Sequence, residues 1–139
     1  MKEKRVNSEE GMLELGKNIA KSLTVPAVIE LVGDVGAGKT TLTRGIAEGL
    51  GVKEQVTSPS FTISKVYEFP GGSLVHYDFY RLGEPGLMMD DLMENMEDTR
   101  TVTVVEWADS VADVLPEKHR RIEIILNEDG SRTIKEIEK

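Results

Sequence analysis

The sequence predicts an α/β fold in which helices flank a mixed parallel and antiparallel sheet. Two observations lead to this prediction: helix-like and strand-like stretches alternate along the chain, and one hairpin signal interrupts the alternation. Hydrophobic residues make up 39% of the 139 residues and charged residues 30%, which is typical of a soluble α/β protein. A chain of this length can build one hydrophobic core, so we expect a single domain over residues 1–139.

The first elements are a helix, a buried strand and a second helix. A helix is predicted after Asn7 and Ser8, either of which can cap it, because apolar residues then recur at helical spacing. Residues 26–32 are nearly all apolar and rich in β-branched side chains, as a strand buried on both faces should be. A second helix is predicted from Lys39, and Gly49 and Gly51 mark its end. The order is strand, glycine-containing loop, helix.

The middle of the chain predicts an antiparallel hairpin. Residues 61–69 and 74–80 are both strand-like. Residues 70–73, with the sequence Pro-Gly-Gly-Ser, are typical of the turn between two paired strands. Part of the sheet should therefore be antiparallel.

The last third of the chain predicts one helix and three strands. Residues 87–96 carry apolar side chains near helical spacing, including methionines that we expect to fill the core. The apolar run 101–105 predicts a buried strand that ends on Glu106. Alternation over 122–126, followed by turn residues at 127–130, predicts a strand and then a polar final strand.

The composition and charge exclude several kinds of site. The chain has no cysteine, which excludes disulfides, a thiol nucleophile and a thiolate metal site, and makes a reducing cytoplasm the expected location. Residues 2–5 are all charged and are not followed by an apolar stretch, so we expect neither a signal peptide nor a membrane span. The net charge of −8 argues against binding nucleic acid through the whole surface, because that mode needs many Lys and Arg.

A glycine-rich loop is the strongest functional signal. Residues 33–40 fit the pattern G-x-x-x-x-G-K-[ST] between a predicted strand and a predicted helix. Glycines allow such a loop to turn tightly and to wrap a polyphosphate with backbone N–H groups, and the following helix adds partial positive charge. The alternative is a glycine-rich turn that fits the pattern by chance. We predict a P-loop NTPase-like nucleotide site formed by Gly33, Asp34, Val35, Gly36, Ala37, Gly38, Lys39, Thr40 and Thr41.

Individual residues of this loop have distinct expected roles. Lys39 should reach over the β- and γ-phosphates as a mobile positive charge, and the Thr40 hydroxyl should be a ligand of Mg²⁺. Thr41 is placed to help at the α-phosphate.

Two predicted strands end in acids that could serve the loop. A P-loop needs an acid at the end of a neighbouring strand, which orients Mg²⁺ or aligns a water with the γ-phosphate. Asp78 and Glu106 have this placement. The alternative for each is a solvated charge at a strand end.

Three further features have two interpretations each. Residues 57–60, Thr-Ser-Pro-Ser, could be a plain turn or a switch segment that senses the γ-phosphate. His76 could carry a proton or be a hydrogen-bonded core residue, and its apolar surroundings favour the core. Trp107, the only tryptophan, could stack on a ligand or pack against the protein.

Four segments occur in a distinctive order and spacing. They are the loop at 33–40, Thr-Ser-Pro-Ser-Phe at 57–61, His-Tyr-Asp-Phe-Tyr-Arg at 76–81 and Glu-Trp at 106–107. With these segments the chain resembles the TsaE (YjeE) family over nearly its full length. The resemblance implies a bacterial P-loop ATPase that works with TsaB and TsaD in making the threonylcarbamoyladenosine modification of tRNA beside the anticodon. Contact with tRNA is then expected only through that complex, and no contact with a membrane.

The resemblance also implies roles for particular residues. Thr40 and Glu106 would hold Mg²⁺, and Asp78 would position or activate the water. Ser58, Pro59 and Ser60 would form the switch, and Trp107 would lie near the nucleotide. The adenine side would involve Glu9, Gly130 and Arg132.

The expected activity is slow hydrolysis of ATP that depends on a partner. Lys39, Asp78 and Glu106 would be its catalytic residues, and Arg44 and Arg81 are the candidates within the chain for offsetting the charge that develops. An arginine supplied by a partner raises the rate about 10³–10⁵-fold in other P-loop proteins. By resemblance, hydrolysis would reset the TsaB–TsaD complex between rounds of modification. Two alternatives remain open: a small-molecule kinase, and a binding module that ATP switches without hydrolysis.

Overall fold

The computed structural model describes residues 2–34, 36–57, 64–79 and 87–138, and these residues form a seven-stranded sheet with helices on both faces. The predicted fold class is confirmed. In chain order the elements are β1 (Lys2–Val6), α1 (Glu9–Ser22), β2 (Ala27–Val32), α2 (Lys39–Leu50), β3 (Ser64–Phe69), β4 (Gly72–Asp78), α3 (Leu87–Glu97), β5 (Thr101–Glu106), a 3-10 helix (Ala108–Val114), β6 (Arg120–Leu126) and β7 (Arg132–Glu138).

The sheet has a parallel centre and antiparallel flanks. Its strand order is β1-β7-β6-β2-β5-β4-β3. Strand β2 pairs in parallel with β5 and β6, and β4 pairs in parallel with β5. The outer pairs, β3 with β4, β6 with β7 and β1 with β7, are antiparallel. Strands β2, β5 and β4 therefore finish at the same edge of the sheet.

Alternate residues of the central strands face two separate cores. Val102 and Val104 of β5 belong to the core that includes buried residues of α1 and α2. Val105 belongs to a second core with Tyr77 of β4 and Leu92 of α3. Because side chains alternate along a strand, helices cover both faces of the sheet centre, and every residue of β5 is buried.

Helices α1 and α2 pack in direct backbone contact. A Cβ atom added at Gly45 of α2 would lie 2.3 Å from the carbonyl oxygen of Leu13, and one added at Gly16 of α1 would lie 2.5 Å from that of Leu42. Glycine at both crossing positions is what lets the helices approach this closely. The contact fixes the beginning of α2, which follows the glycine-rich loop, against α1.

Capping residues explain where α1 begins and where α2 ends. Ser8 is the N-cap of α1, and its hydroxyl accepts a hydrogen bond from the Gly11 N–H at 3.0 Å. Gly51 follows α2 with φ at 98°, and its N–H donates to Ala47 and Glu48. This left-handed conformation is one that glycine adopts without strain.

Two strand predictions differ from the structure. Strand β1 was not predicted, because it is a short, charged edge strand that lacks an apolar alternation. The hairpin turn is shorter than predicted, since β4 begins at Gly72, paired with Phe69. A Cβ at Gly72 would overlap the Arg100 carbonyl, so glycine is required where the chain passes this neighbour. Residues 61–63 and Tyr80, predicted as strand, lie outside the described residues.

We expect Gly45→Ala to destabilise the protein by about 2–3 kcal/mol of unfolding free energy. Alanine favours a helix over glycine by about 1 kcal/mol, so a loss of stability can only come from the close contact with α1. Chemical denaturation measures it. Glu48→Ala, an exposed change on the same helix, is the control and should have little effect. A Gly45→Ala protein as stable as the wild type would contradict the close packing.

Candidate functional site

The candidate site lies at the edge where β2, β5 and β4 end. The glycine-rich loop leaves β2 at this edge, and Glu106, the last residue of β5, pairs with Leu31 of β2 and Asp78 of β4. Both acids are buried, with Glu106 only 3% exposed. The structure therefore excludes the alternative that they are solvated charges, and places both beside the loop.

Glycines shape the loop in two different ways. Gly36 has φ at 84° and Gly38 at 113°, conformations that side chains rarely adopt. Gly33 instead provides clearance, because a Cβ there would lie 2.8 Å from the Ile124 carbonyl oxygen of β6. Glycines are expected here for both backbone conformation and clearance, and the loop uses both: Gly36 and Gly38 supply the conformations and Gly33 supplies the clearance.

Lys39 is drawn inward at the start of α2. Its Nζ donates to the Gly33 carbonyl at 2.7 Å, lies 3.7 Å from Glu106 Oε1, and is 4.0 Å from the centroid of the Trp107 ring. Burial lowers the pKa of Lys39 below its ordinary value, and the negative charges of Glu106 and Asp78 oppose that shift. The buried ammonium is therefore held by a carboxylate, a carbonyl and an aromatic face.

Trp107 has an unusual backbone conformation directly after Glu106. Its φ is 56° and its ψ 51°, and among the described residues it is the sole non-glycine with positive φ. Such strain persists where the surroundings enforce it and is concentrated at functional sites. The ring is partly buried against the second core while one face carries Lys39. It thus packs against the protein and also lies beside the loop.

His76 is a buried core residue that contacts the site. It is fully inaccessible to solvent, and its Nε2 forms a hydrogen bond with Glu106 Oε2. The core interpretation of His76 is therefore correct. The contact with Glu106 was missed, although one signal was present: His76 and Asp78 are two apart on one strand, so they share a face.

Arg132 of β7 forms hydrogen bonds with the loop. Its Nε donates to the Ala37 carbonyl at 2.8 Å, and a terminal nitrogen lies 3.5 Å from the Gly36 carbonyl. Another terminal nitrogen donates to the Gly130 carbonyl at 3.2 Å. A cavity of about 200 Å³ lies next to this contact, lined by Ser8, Glu9, Met12, Gly38, Thr41 and Arg132.

The structure thus brings together most of the residues predicted for the adenine side. Glu9 and Arg132 line that cavity, and Gly130, with φ at 88°, is linked to it through Arg132. Arg44, a candidate for offsetting charge, donates to the Val56 carbonyl and lies 3.9 Å from Glu9. Its guanidinium is engaged by a neighbouring acid and a backbone oxygen.

The remaining predicted residues fall into two groups. Asp34 is exposed at the loop, where its carbonyl accepts from the Ala37 N–H at 3.0 Å, and Thr40 and Thr41 are partly exposed in the first turn of α2. The other group lies outside the described residues and comprises Val35, Ser58, Pro59, Ser60 and Arg81.

The donor atoms at this edge suit magnesium bound together with a phosphate ligand. Hydroxyl and carboxylate oxygens, here Thr40, Glu106 and Asp78, are what Mg²⁺ prefers, and it commonly uses one or two carboxylates plus substrate phosphates. Within the described ranges, His, Asp and Glu nowhere form a group of three or more able to hold a metal ion. A metal at this edge would therefore depend on oxygens from a ligand.

The fold and the loop define an α/β protein with a glycine-rich connection between a buried central strand and a helix. Comparison with known proteins specifies it further. The family model described as "Threonylcarbamoyl adenosine biosynthesis protein TsaE" matches residues 6–134. The chain belongs to the TsaE family.

Individual relatives agree with this assignment. The chain is 44% identical over 115 residues to a "tRNA threonylcarbamoyladenosine biosynthesis protein TsaE" of Streptomyces coelicolor, which covers 81% of this chain and 78% of that protein. A protein of the same name from Haemophilus influenzae is 36% identical over 117 residues, covering 81% of this chain and 74% of that one. A crystal structure of Bacillus subtilis YdiB superposes with a TM-score of 0.77 at 34% identity, covering 96% and 82% of the two chains. None of the helices in the described part of the chain is long and apolar enough to cross a membrane.

The fluorescence of Trp107 should report the charge of Lys39. The chain has one tryptophan, and loss of the proton removes a charge from its ring face. We expect emission to titrate with a midpoint below 10.5, since burial lowers the pKa of Lys39. Over the interval between that midpoint and 10.5 the folded chain binds fewer protons than the unfolded one, so this group's contribution to stability rises with pH.

Two variants check the assignment of this fluorescence step. Lys39→Met should abolish it, whereas Lys53→Met, at an exposed lysine beyond α2, should leave it intact. A step that persists in Lys39→Met would show that another group is responsible, and the contact between ammonium and ring would be refuted.

Proposed function

We propose that this protein binds ATP with Mg²⁺ and hydrolyses it slowly, in support of the threonylcarbamoyladenosine modification of tRNA. The family provides the biological setting, and one structural observation supports the chemistry. The buried ammonium of Lys39 lies 3.7 Å from buried Glu106, at an edge that Asp78 shares. A cation, two acids and a glycine-rich loop meeting at one sheet edge are the parts that phosphoryl transfer needs.

Binding of the triphosphate would use the loop and the start of α2. Gly36 and Gly38 supply the backbone conformations that let the loop turn tightly around a phosphate, and the helix N-terminus favours negative charge. Lys39 would exchange its contact with the Gly33 carbonyl for the β- and γ-phosphates. The cavity beside Arg132 and Glu9 would receive the adenine side, because it opens next to Gly38 and Thr41.

The two acids would have different roles in hydrolysis. Glu106 and Thr40 would hold Mg²⁺, which when bound neutralises charge on the phosphate oxygens. Asp78 would align the attacking water with the γ-phosphate and take up its proton. Lys39 would stabilise the charge that develops on the transferred group.

The proposed slow rate is supported by how two arginines near the loop in the described part of the chain are used. Arg44 is occupied by Glu9 and the Val56 carbonyl, and Arg132 is occupied by carbonyls of the loop itself. Neither is available to the γ-phosphate without giving up these contacts. We therefore propose that a partner, TsaD with TsaB, completes the site, and that tRNA is met only through that complex. The net charge of −8 agrees with an indirect contact.

Asp78→Asn should separate binding from hydrolysis. The amide cannot take up a proton, so we expect turnover with TsaB and TsaD present to fall about a hundredfold or more, while affinity for Mg·ATP changes by less than about threefold. Phosphate release and calorimetry measure the two quantities.

The control for this variant is Asp113→Asn, which removes the same charge from an exposed position of the 3-10 helix and should behave as wild type. If Asp78→Asn retained full turnover and full support of tRNA modification, a module switched by ATP without hydrolysis would replace the ATPase. Fast turnover by the isolated wild-type chain would overturn the dependence on a partner.

Arg132→Ala should weaken nucleotide binding about tenfold. The guanidinium fixes two loop carbonyls, and its loss frees the loop that must face the phosphates. Lys135→Ala is a matched control on the same strand, because Lys135 pairs with exposed Glu3 away from the loop. Equal affinities of the two variants for Mg·ATP, measured by calorimetry, would argue that Arg132 has no part in binding.

A further inference from the structure

His76 lies directly behind the site without reaching its surface. It occupies β4 two residues before Asp78, and in the parallel pairing it lies opposite Val104 of β5. Its ring is fully buried, and Nε2 is hydrogen-bonded to Glu106 Oε2. The ring therefore contacts an acid whose other oxygen faces Lys39.

The chemistry of the pair fixes which ring nitrogen donates. With Glu106 ionised beside Lys39, its carboxylate only accepts hydrogen bonds, which assigns a proton to Nε2. The second nitrogen, Nδ1, has no hydrogen-bond partner among the described residues. Glu106 is thus the ring's one polar contact in that part of the chain, and the ring is oriented by the carboxylate and by packing alone.

Glu106 in turn has two partners of different kinds. Lys39 is a flexible cation that the triphosphate would attract away, whereas His76 is fixed in a central strand. A buried carboxylate that loses its partner is costly, by about 3–5 kcal/mol when the partner is removed outright. Once Lys39 turns to the phosphates, His76 is the partner that still forms a hydrogen bond with Glu106.

We propose that His76 is a positioning residue for Glu106. Its Nε2–H holds Oε2, so that Oε1 stays turned toward the loop, where Glu106 would bind magnesium. The inference rests on the proposed function, because only there is Glu106 a metal ligand. In the competing view, His76 is a core residue and Glu106 merely satisfies its buried N–H.

Two variants separate these views. The side-chain nitrogen of His76→Gln can occupy the place of Nε2, whereas that of His76→Asn reaches only as far as Nδ1. Calorimetry measures ATP binding to each folded variant with excess Mg²⁺ and with EDTA, and the Mg²⁺ concentration at half-saturation is measured with ATP present. Denaturation reports the stability of each.

The positioning role predicts a loss that is specific to the metal. Partners of metal ligands are typically worth about 10–100-fold in metal affinity, so His76→Asn should raise the half-saturating Mg²⁺ concentration at least about tenfold. Metal-free ATP affinity should change by less than about twofold, and His76→Gln should restore most of the Mg²⁺ dependence.

Other results would overturn the inference. One is a half-saturating Mg²⁺ concentration in His76→Asn equal to that of the wild type, and another is an equal rise of this concentration in the Gln and Asn variants. A third is a fall in the ATP affinity of His76→Asn that is as large without Mg²⁺ as with it. If the wild type itself bound no Mg·ATP, the proposed function would fail first. That outcome differs from one in which the wild type binds and the Asn variant matches it.

A measurement on the wild-type chain covers variants that fail to fold. The chain has two histidines, so long-range ¹H–¹⁵N spectra resolve both rings, and His119→Gln assigns them. We expect the pattern of a proton on Nε2 for His76, retained when Mg·ATP is added. A proton on Nδ1 alone, in either state, would contradict the proposed contact.

Discussion

The buried contact between Lys39 and Glu106 is the interaction on which the site depends. Lys39 is 6% exposed and Glu106 is 3% exposed, so each charge needs the other inside the protein. His76 supports the acid from the core, and the Gly33 carbonyl accepts from the lysine. In the proposed function, the triphosphate would replace the carboxylate as the partner of Lys39.

The fold places these charges by using strand order and close helix packing. Parallel pairing brings the ends of β2, β5 and β4 to one edge, where the loop and both acids meet. Glycines at 16 and 45 let α1 pack directly against α2, and Arg132 of β7 donates a hydrogen bond to the loop. The loop is thus fixed by its glycines, by the helix that follows it and by a strand from the far end of the chain.

Local signals made much of this predictable. The strand, loop and helix around residues 33–40 follow from apolar runs and glycine spacing, and Asp78 and Glu106 were identified because each ends an apolar strand. For the contact of His76 with Glu106 the sequence holds only one signal, the face that His76 shares with Asp78, because the contact joins residues 30 apart and depends on β4 lying beside β5. The turned backbone of Trp107 was also missed, because nothing in its residue type favours a positive φ.

The most direct test of the account is a calorimetric titration of Mg·ATP into the purified protein, repeated with TsaB and TsaD present. If the loop and Lys39 grip a triphosphate, the heat will fit one nucleotide per chain, and Lys39→Ala will lose it while remaining folded. Absence of a binding heat under both conditions would contradict the account, because the buried lysine and acids would then need a different explanation.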